Sequence, residues 1–284
     1  MTLAAVAFSL MGACVKTATG TLPSTVVVFF RNAIALAILA PWLLRGGLAG
    51  LATKDVPGHL LRGIGGLLSM TCFFYALSRL KLADAMLLNQ SMPLFLPLAA
   101  FAVIGEPIPK GLWRVLLLGF VGIAFIVKPG ASFLTPGVPH ETWAAVLGLV
   151  SAVLAALAQT GVRRLARTEP VTRIVFYFSL IATVGAALPL VKTWRTPQGR
   201  EWGVLVLTGI FATIGQLFLT RAYAQAPAAQ IGPFVYSGVV FAGLLDWAVW
   251  HLLPDAFFVL GAALVLLAGV LALRISATPV GAET

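Results

Sequence analysis

Ten times along the chain, an unbroken apolar run of about 20 residues ends at a short connection holding Gly, Pro and charge. A run of that length matches the roughly 30 Å hydrocarbon layer of a bilayer. The runs cover residues 2–19, 24–44, 58–78, 82–104, 112–129, 143–163, 172–191, 202–224, 228–250 and 255–274. Backbone N–H and C=O groups find no water inside lipid, so each run must satisfy its own as a helix. A closed β-barrel would need alternating segments, and these runs are continuous. Composition agrees: 60% of the 284 residues are hydrophobic and 10% are charged, against about a quarter charged in a soluble domain. The expected fold class is an all-α integral membrane protein with ten transmembrane helices.

The tryptophans mark the span ends independently. Trp42, Trp113, Trp143, Trp194, Trp202, Trp247 and Trp250 all fall at or beside them, where aromatic belts form. With the N-terminus in the cytoplasm, both termini lie inside. The inner side then collects Arg45, Lys54, Arg62, Lys110, Arg114, Arg163, Arg164, Arg167, Arg173, Arg221 and Arg274. The outer side receives Lys16, Arg79, Lys81, Lys128, Lys192, Arg195 and Arg200. That bias favours cytoplasmic N- and C-termini. The net charge of +10 is thus spread over connections and does not form a basic face for nucleic acid. Cys14 and Cys72 both fall within spans, so no disulfide framework is expected. The first run lacks a basic leader and a small-residue cleavage site, and it reads as a spanning helix.

Ten spans invite division into halves. Shifting residues 63–103 by 146 positions pairs Gly63 with Gly209, Ala76 with Ala222, Ser91 with Ser237 and Phe95 with Phe241, without a gap. The shift matches span three to span eight and span four to span nine. Five spans per half is an odd number, so two such halves in series insert in opposite directions. The expected domains are a first five-helix repeat over 1–131, an inverted second over 141–276, and a tail over 277–284. A solute site is then expected in a central cavity near the midplane.

Polar residues within the spans are few. The stretch LLNQSMPLFLPL, residues 87–98, places Asn89, Gln90 and Ser91 in span four, followed by Pro93 and Pro97. A proline leaves the carbonyl four residues earlier without its partner, so Pro93 frees that of Asn89. Under the shift Gln90 matches Tyr236, and that segment of span nine has its own breaker, Pro233. Broken helices with polar groups in corresponding parts of two halves point to a transporter site; interhelical hydrogen bonding is the competing reading. Gln159 and Thr160 of span six, Gln216 and Tyr223 of span eight, and Thr71 and Tyr75 of span three extend the candidate set. Such a cavity of amides, phenols, Phe and Met is expected to be uncharged. Arg31, well inside span two, reads as a structural or gating residue, with anion ligation as the alternative. Lys16, near the outer end of span one, is either interfacial or within reach of an anionic solute.

No carboxylate is expected at mid-membrane, so facilitated diffusion or exchange is favoured over proton coupling. No HExxH, GxSxG, P-loop or paired-Cys metal spacing occurs, and His59, His140 and His251 stand alone. Neither an enzyme nor a cofactor or metal is expected. A channel would show a filter motif, and none is visible.

Four stretches resemble the EamA-type family of the drug/metabolite transporter superfamily. They are LMGACVK in span one, VVFFRNAIA in span two, FFYALSRLKLADAMLLNQSMPLF…GEP across spans three and four, and GQLFLTRAYAQAPAAQIGPFVYSGVVFAGLL across spans eight and nine. The resemblance implies two inverted repeats around a cavity lined by the spans that hold Lys16, Tyr75, Gln90, Gln159, Gln216 and Tyr236. The family's Gly-Glu-x-Pro signature is kept at GEPIP, with Glu106, but the second copy reads HLLPD over 251–255. The loss bears on loop packing or gating. What the resemblance implies for function is a carrier in the bacterial inner membrane, moving a small-molecule solute and plausible as a monomer. Exporters of neutral or aromatic amino acids are similar; an uptake or exchange carrier for an anionic or nucleoside-type metabolite is the rival.

Overall fold

A computed structural model describes residues 1–44, 52–105, 112–127, 140–225 and 237–277. They form the helices α1 (Thr2–Thr19), α2 (Ser24–Leu44), α3 (Val56–Arg79), α4 (Leu82–Asn89), α5 (Met92–Ile104), α6 (Leu112–Val127), α7 (His140–Leu165), α8 (Val171–Thr193), α9 (Arg200–Gln225), α10 (Ser237–Trp250) and α11 (Ala256–Ala277). No strand occurs among the described residues. Six of these helices (α1, α2, α3, α7, α8 and α9) are long and apolar enough to cross a hydrocarbon layer. Large apolar side chains such as Leu117, Leu188 and Val191 point outward, fully or largely exposed. Water would penalise that surface; acyl chains do not.

The segment expected as one span over 82–104 is two helices. Gln90 N–H still donates to the Met86 carbonyl at 2.8 Å, but Ser91 N–H tightens onto Leu88 at 3.2 Å and Leu94 N–H returns to Ser91 at 3.0 Å. Pro93 has no N–H to offer Asn89, and Ser91 Oγ donates back to the Leu87 carbonyl at 3.1 Å. Together these end α4 and restart the helix as α5.

Helix ends define two faces. At the first, Asp55 accepts from the Gly58 N–H at 3.0 Å as the N-cap of α3. The same carboxylate takes a bidentate pair from Arg164 at the end of α7, at 2.6 and 2.8 Å. Glu169, before α8, accepts from Thr53 at 2.7 Å and Arg173 at 2.6 Å. Burial alone would raise the Glu169 carboxyl pKa, yet these hydrogen bonds and the Arg173 charge hold it below the usual carboxylate range. At the second face, Lys16 near the end of α1 donates to the Leu80 carbonyl just after α3, at 2.7 Å. Asp246 near the end of α10 accepts from the N–H groups of Leu82 and Ala83, opening α4, at 3.1 and 2.7 Å. Thr25 opening α2 meets Thr193 ending α8 at 2.8 Å, and Phe30 packs edge-on against Trp202 at the start of α9.

Between the faces α1 packs on α9 and α10, α2 on α8 and α9, and α3 on α7 and α8. Helices α4 and α5 pack on α7, α4 also on α10, and α6 on α11. Small residues let α3 and α7 approach closely, as in other membrane helix pairs. A Cβ on Gly161 would stand 3.2 Å from both the Arg62 nitrogen and the Gly58 carbonyl oxygen. The branched side chain of Gly161→Val is therefore expected to wedge the pair apart, at about 1–3 kcal/mol for overpacking. Thermal unfolding in detergent should show a melting point several degrees lower; an unchanged melt would mean that the two helices do not depend on this contact.

Candidate solute cavity

The cavity lies where α1, α2, α3, α7, α8 and α9 surround the α4–α5 break, and its volume is about 160 Å³. Its apolar wall is Phe8, Phe73, Phe74 and Phe178 with Met11, Met70 and Met86; its polar wall is Arg31, Arg62, Ser69, Asn89, Gln90, Gln159 and Gln216. The lining residues of α7, α8 and α9 sit nearer the first face, whereas those of α3 run from Arg62 to Phe74 across its middle. Towards the second face the bundle is packed solid by Val15, Leu22, Leu77, Leu82 and Leu205.

Each polar group is positioned by its helix. The break after α4 turns Asn89 towards α7, where its Nδ2 donates to Ser151 Oγ at 2.9 Å. Ser69 of α3 donates to the Ser151 carbonyl at 2.7 Å, which fixes three helices at one point. Arg31 donates to Asn32 at 2.6 Å, and Asn32 is held by the Val28 carbonyl at 2.8 Å. Arg62 donates to Gln216 Oε1 of α9 at 2.9 Å. Both guanidinium groups lie over the ring of Phe178, Arg62 at 3.9 Å and Arg31 at 5.3 Å from its centroid, a cation–π arrangement. Gly66, one turn after Arg62, leaves the space for this: a Cβ there would press on the Arg62 guanidinium and the Phe178 ring.

Three buried nitrogens of the cavity have no hydrogen-bond acceptor among the described residues: Arg31 Nε, Arg62 Nε and Gln159 Nε2. No described carboxylate pairs with either arginine. The expectation of an uncharged cavity is thereby corrected. Arg62, only seven positions into α3, reads from its place in the chain as an inner-face cation, yet it is 6% exposed. Its side chain folds inward because Gly66 is small and Phe178 offers a ring face.

Other expected residues divide plainly. Gln90, Asn89, Gln159, Gln216 and Arg31 line the cavity, whereas Pro93 is buried near the start of α5 and is not part of the lining. Lys16 does not: it is bound at the second face by Leu80, stands 3.8 Å from Asp246 and lies over the Trp250 ring at 5.2 Å. Tyr75 sits near the end of α3 with Arg79 over its ring at 6.0 Å, outside the cavity lining. Tyr236, Pro233 and Glu106 lie outside the described residues, as do the side chains of Pro97 and Tyr223.

Known proteins resolve what kind of bundle this is. The sequence matches the EamA-like transporter family twice, over residues 1–128 and 142–274. The chain belongs to that family. It is 38% identical to the pseudopaline exporter of Pseudomonas aeruginosa, over 94% of this chain and 92% of the relative. It is 29% identical to a riboflavin transporter of Rhizobium johnstonii, over 96% and 89%, and 26% identical to an S-adenosylmethionine uptake transporter of Rickettsia felis, over 84% and 79%. A solved crystal structure with 19% identity superposes at a TM-score of 0.62, over 97% of this chain and 99% of that one, and carries the fold alone. The apolar helices and the EamA membership make this a multi-pass membrane transporter. What sequence reasoning missed within the EamA bundle is Arg62 as a cavity residue. The available signal was its spacing of four from Gly66 on one face of α3.

Proposed function

We propose that this is a secondary transporter that moves a small organic metabolite by alternating access, and that the cavity around the α4–α5 break is its solute site. The observation that carries the reading is the broken helix itself. It brings Asn89 and Gln90 of the first half into one cavity with Gln159 and Gln216 of the second. In the proposed architecture ten spans form two inverted repeats, 1–131 and 141–276, with 277–284 as a tail. Helix directions support it. Helix α1 runs from the first face to the second, whereas α7 runs back; α2 and α8, α3 and α9, and α4 and α10 oppose each other likewise. The packing supports it too, since exchanging the halves turns the α1–α9 contact into α7–α3 and the α2–α9 contact into α8–α3. The protein would reside in a bacterial inner membrane with both termini in the cytoplasm.

Among the relatives, solutes as different as pseudopaline, riboflavin and S-adenosylmethionine are named, so the cavity has to select the class. Its arginines favour a solute with an acidic group over a wholly neutral one, which moves the reading from neutral or aromatic amino acids towards anionic metabolites. The packed layer on the second-face side argues for a carrier over a channel. The test is flux from proteoliposomes loaded with labelled amino acids and organic acids. Gln90→Ala and Gln159→Ala, each removing cavity hydrogen bonds of about 1–1.5 kcal/mol, should reduce apparent affinity or rate roughly tenfold. A solute carried by the wild type and equally well by both variants would remove this cavity from the pathway.

A further inference from the structure

The fully buried side-chain atoms of this cavity that lack a partner share one sign. Among the described residues, each such atom is a donor: Arg31 Nε, Arg62 Nε and Gln159 Nε2. Resting on the carrier reading above, we infer that the solute presents two negative charges as two carboxylates, shared between Arg31 and Arg62, with the Gln159 amide donating to one of them.

Charge balance makes the argument. The two guanidinium carbons lie over one ring at 3.9 and 5.3 Å, so no more than about 9 Å separates them, close enough to repel in a medium of low dielectric. What each holds now is neutral: Asn32 for Arg31, and Gln216 for Arg62. Phe178 offsets part of the burial cost through its ring face but carries no charge. A single carboxylate would leave one arginine buried and uncompensated, the arrangement that membrane interiors penalise most. A zwitterionic neutral amino acid is a poorer match still, because its ammonium would enter a cavity already carrying two cations. Two carboxylates neutralise both guanidinium groups and accept from the orphan donors, and each suits the planar fork of an arginine. A cavity of about 160 Å³ suits a compact diacid.

The test uses the purified full-length protein in detergent and follows its melting temperature at constant ionic strength. Malonate, succinate and glutarate are titrated beside their monoamides, with inorganic phosphate as a separate arm. At least one diacid is expected to stabilise at a concentration ten or more times lower than its monoamide. Arg31→Gln and Arg62→Gln, each first checked for an intact unliganded melt, should bring that ratio close to one. If an Arg→Gln variant does not fold, the wild-type ratio together with Gln159→Leu, which should narrow it, decides the matter. Equal stabilisation by diacid and monoamide, no stabilisation by any diacid, or a response to phosphate alone would each overturn the two-carboxylate assignment. Such a failure beside Gln90-sensitive flux would leave the carrier reading standing; flux indifferent to Gln90 and Gln159 would remove the cavity itself.

Discussion

Asp246→Ala is expected to cost about 3–5 kcal/mol of stability, the range seen when one partner of a buried ion pair is removed. In a chain of this size that corresponds to a melting point lower by about 10 °C. Asp246 is 2% exposed and its two oxygens do three things. They accept from the N–H groups of Leu82 and Ala83, the orphan donors that any helix start presents. They also face the Lys16 ammonium at 3.8 Å, which is pointed there by the Leu80 carbonyl and the Trp250 ring. Alanine would leave two N–H groups without acceptors and the Lys16 ammonium without its nearest carboxylate in a packed layer. Asp246→Asn should be milder, because an amide oxygen still accepts. Lys16→Met combined with Asp246→Asn should lose less than the two single changes added together, since no charge then remains unpaired. Strict additivity in thermal or denaturant unfolding would show that the two side chains do not act as a unit. The same cluster joins α1, α4 and α10 on the sealed side of the cavity, so a carrier that opens to the second face must break it.

The largest effect on transport is expected from Arg62→Met. Truncating one member of a buried, hydrogen-bonded charge pair costs about 2–5 kcal/mol, which in affinity is between roughly 30-fold and several thousandfold. Methionine keeps an unbranched apolar stem but not the guanidinium that lies over Phe178, so the loss reports the charge, the fork of donors and that ring contact together. The change also removes the bond from α3 to Gln216 of α9. Gln216→Ala controls for that bond: it should alter rate far less than Arg62→Met if the guanidinium acts on the solute. Arg62→Lys should recover only part of the activity, because an ammonium restores charge but not the planar pair of donors. Concentration-dependent flux in proteoliposomes checks all three. Arg62→Met moving an anionic solute with unchanged apparent affinity would take this arginine out of the binding step.

Much of the helix layout was legible in the chain. The apolar runs at 2–19 and 24–44 coincide with α1 and α2, and those at 143–163, 172–191 and 202–224 lie within α7, α8 and α9, because a hydrocarbon solvent leaves the backbone no alternative to helix. The weakness of span four was legible as well, since Pro93 cannot donate and Ser91 competes for carbonyls. The division of polar groups into cavity and clasp was not. Lys16 and Arg62 both look like interfacial cations in one dimension. Position along a span says how deep a Cα lies, but not which way a long flexible side chain turns. That direction was decided by partners far away in sequence: Asp246 and Trp250 for Lys16, Phe178 and Gln216 for Arg62. The sequence by itself determined the solvent, the helices and the points where they break, since these follow from local hydropathy and backbone chemistry. Only the tertiary structure decided that two arginines share one cavity with no carboxylate among the described residues, because the sign of a site is set by contacts between helices that the linear order keeps apart.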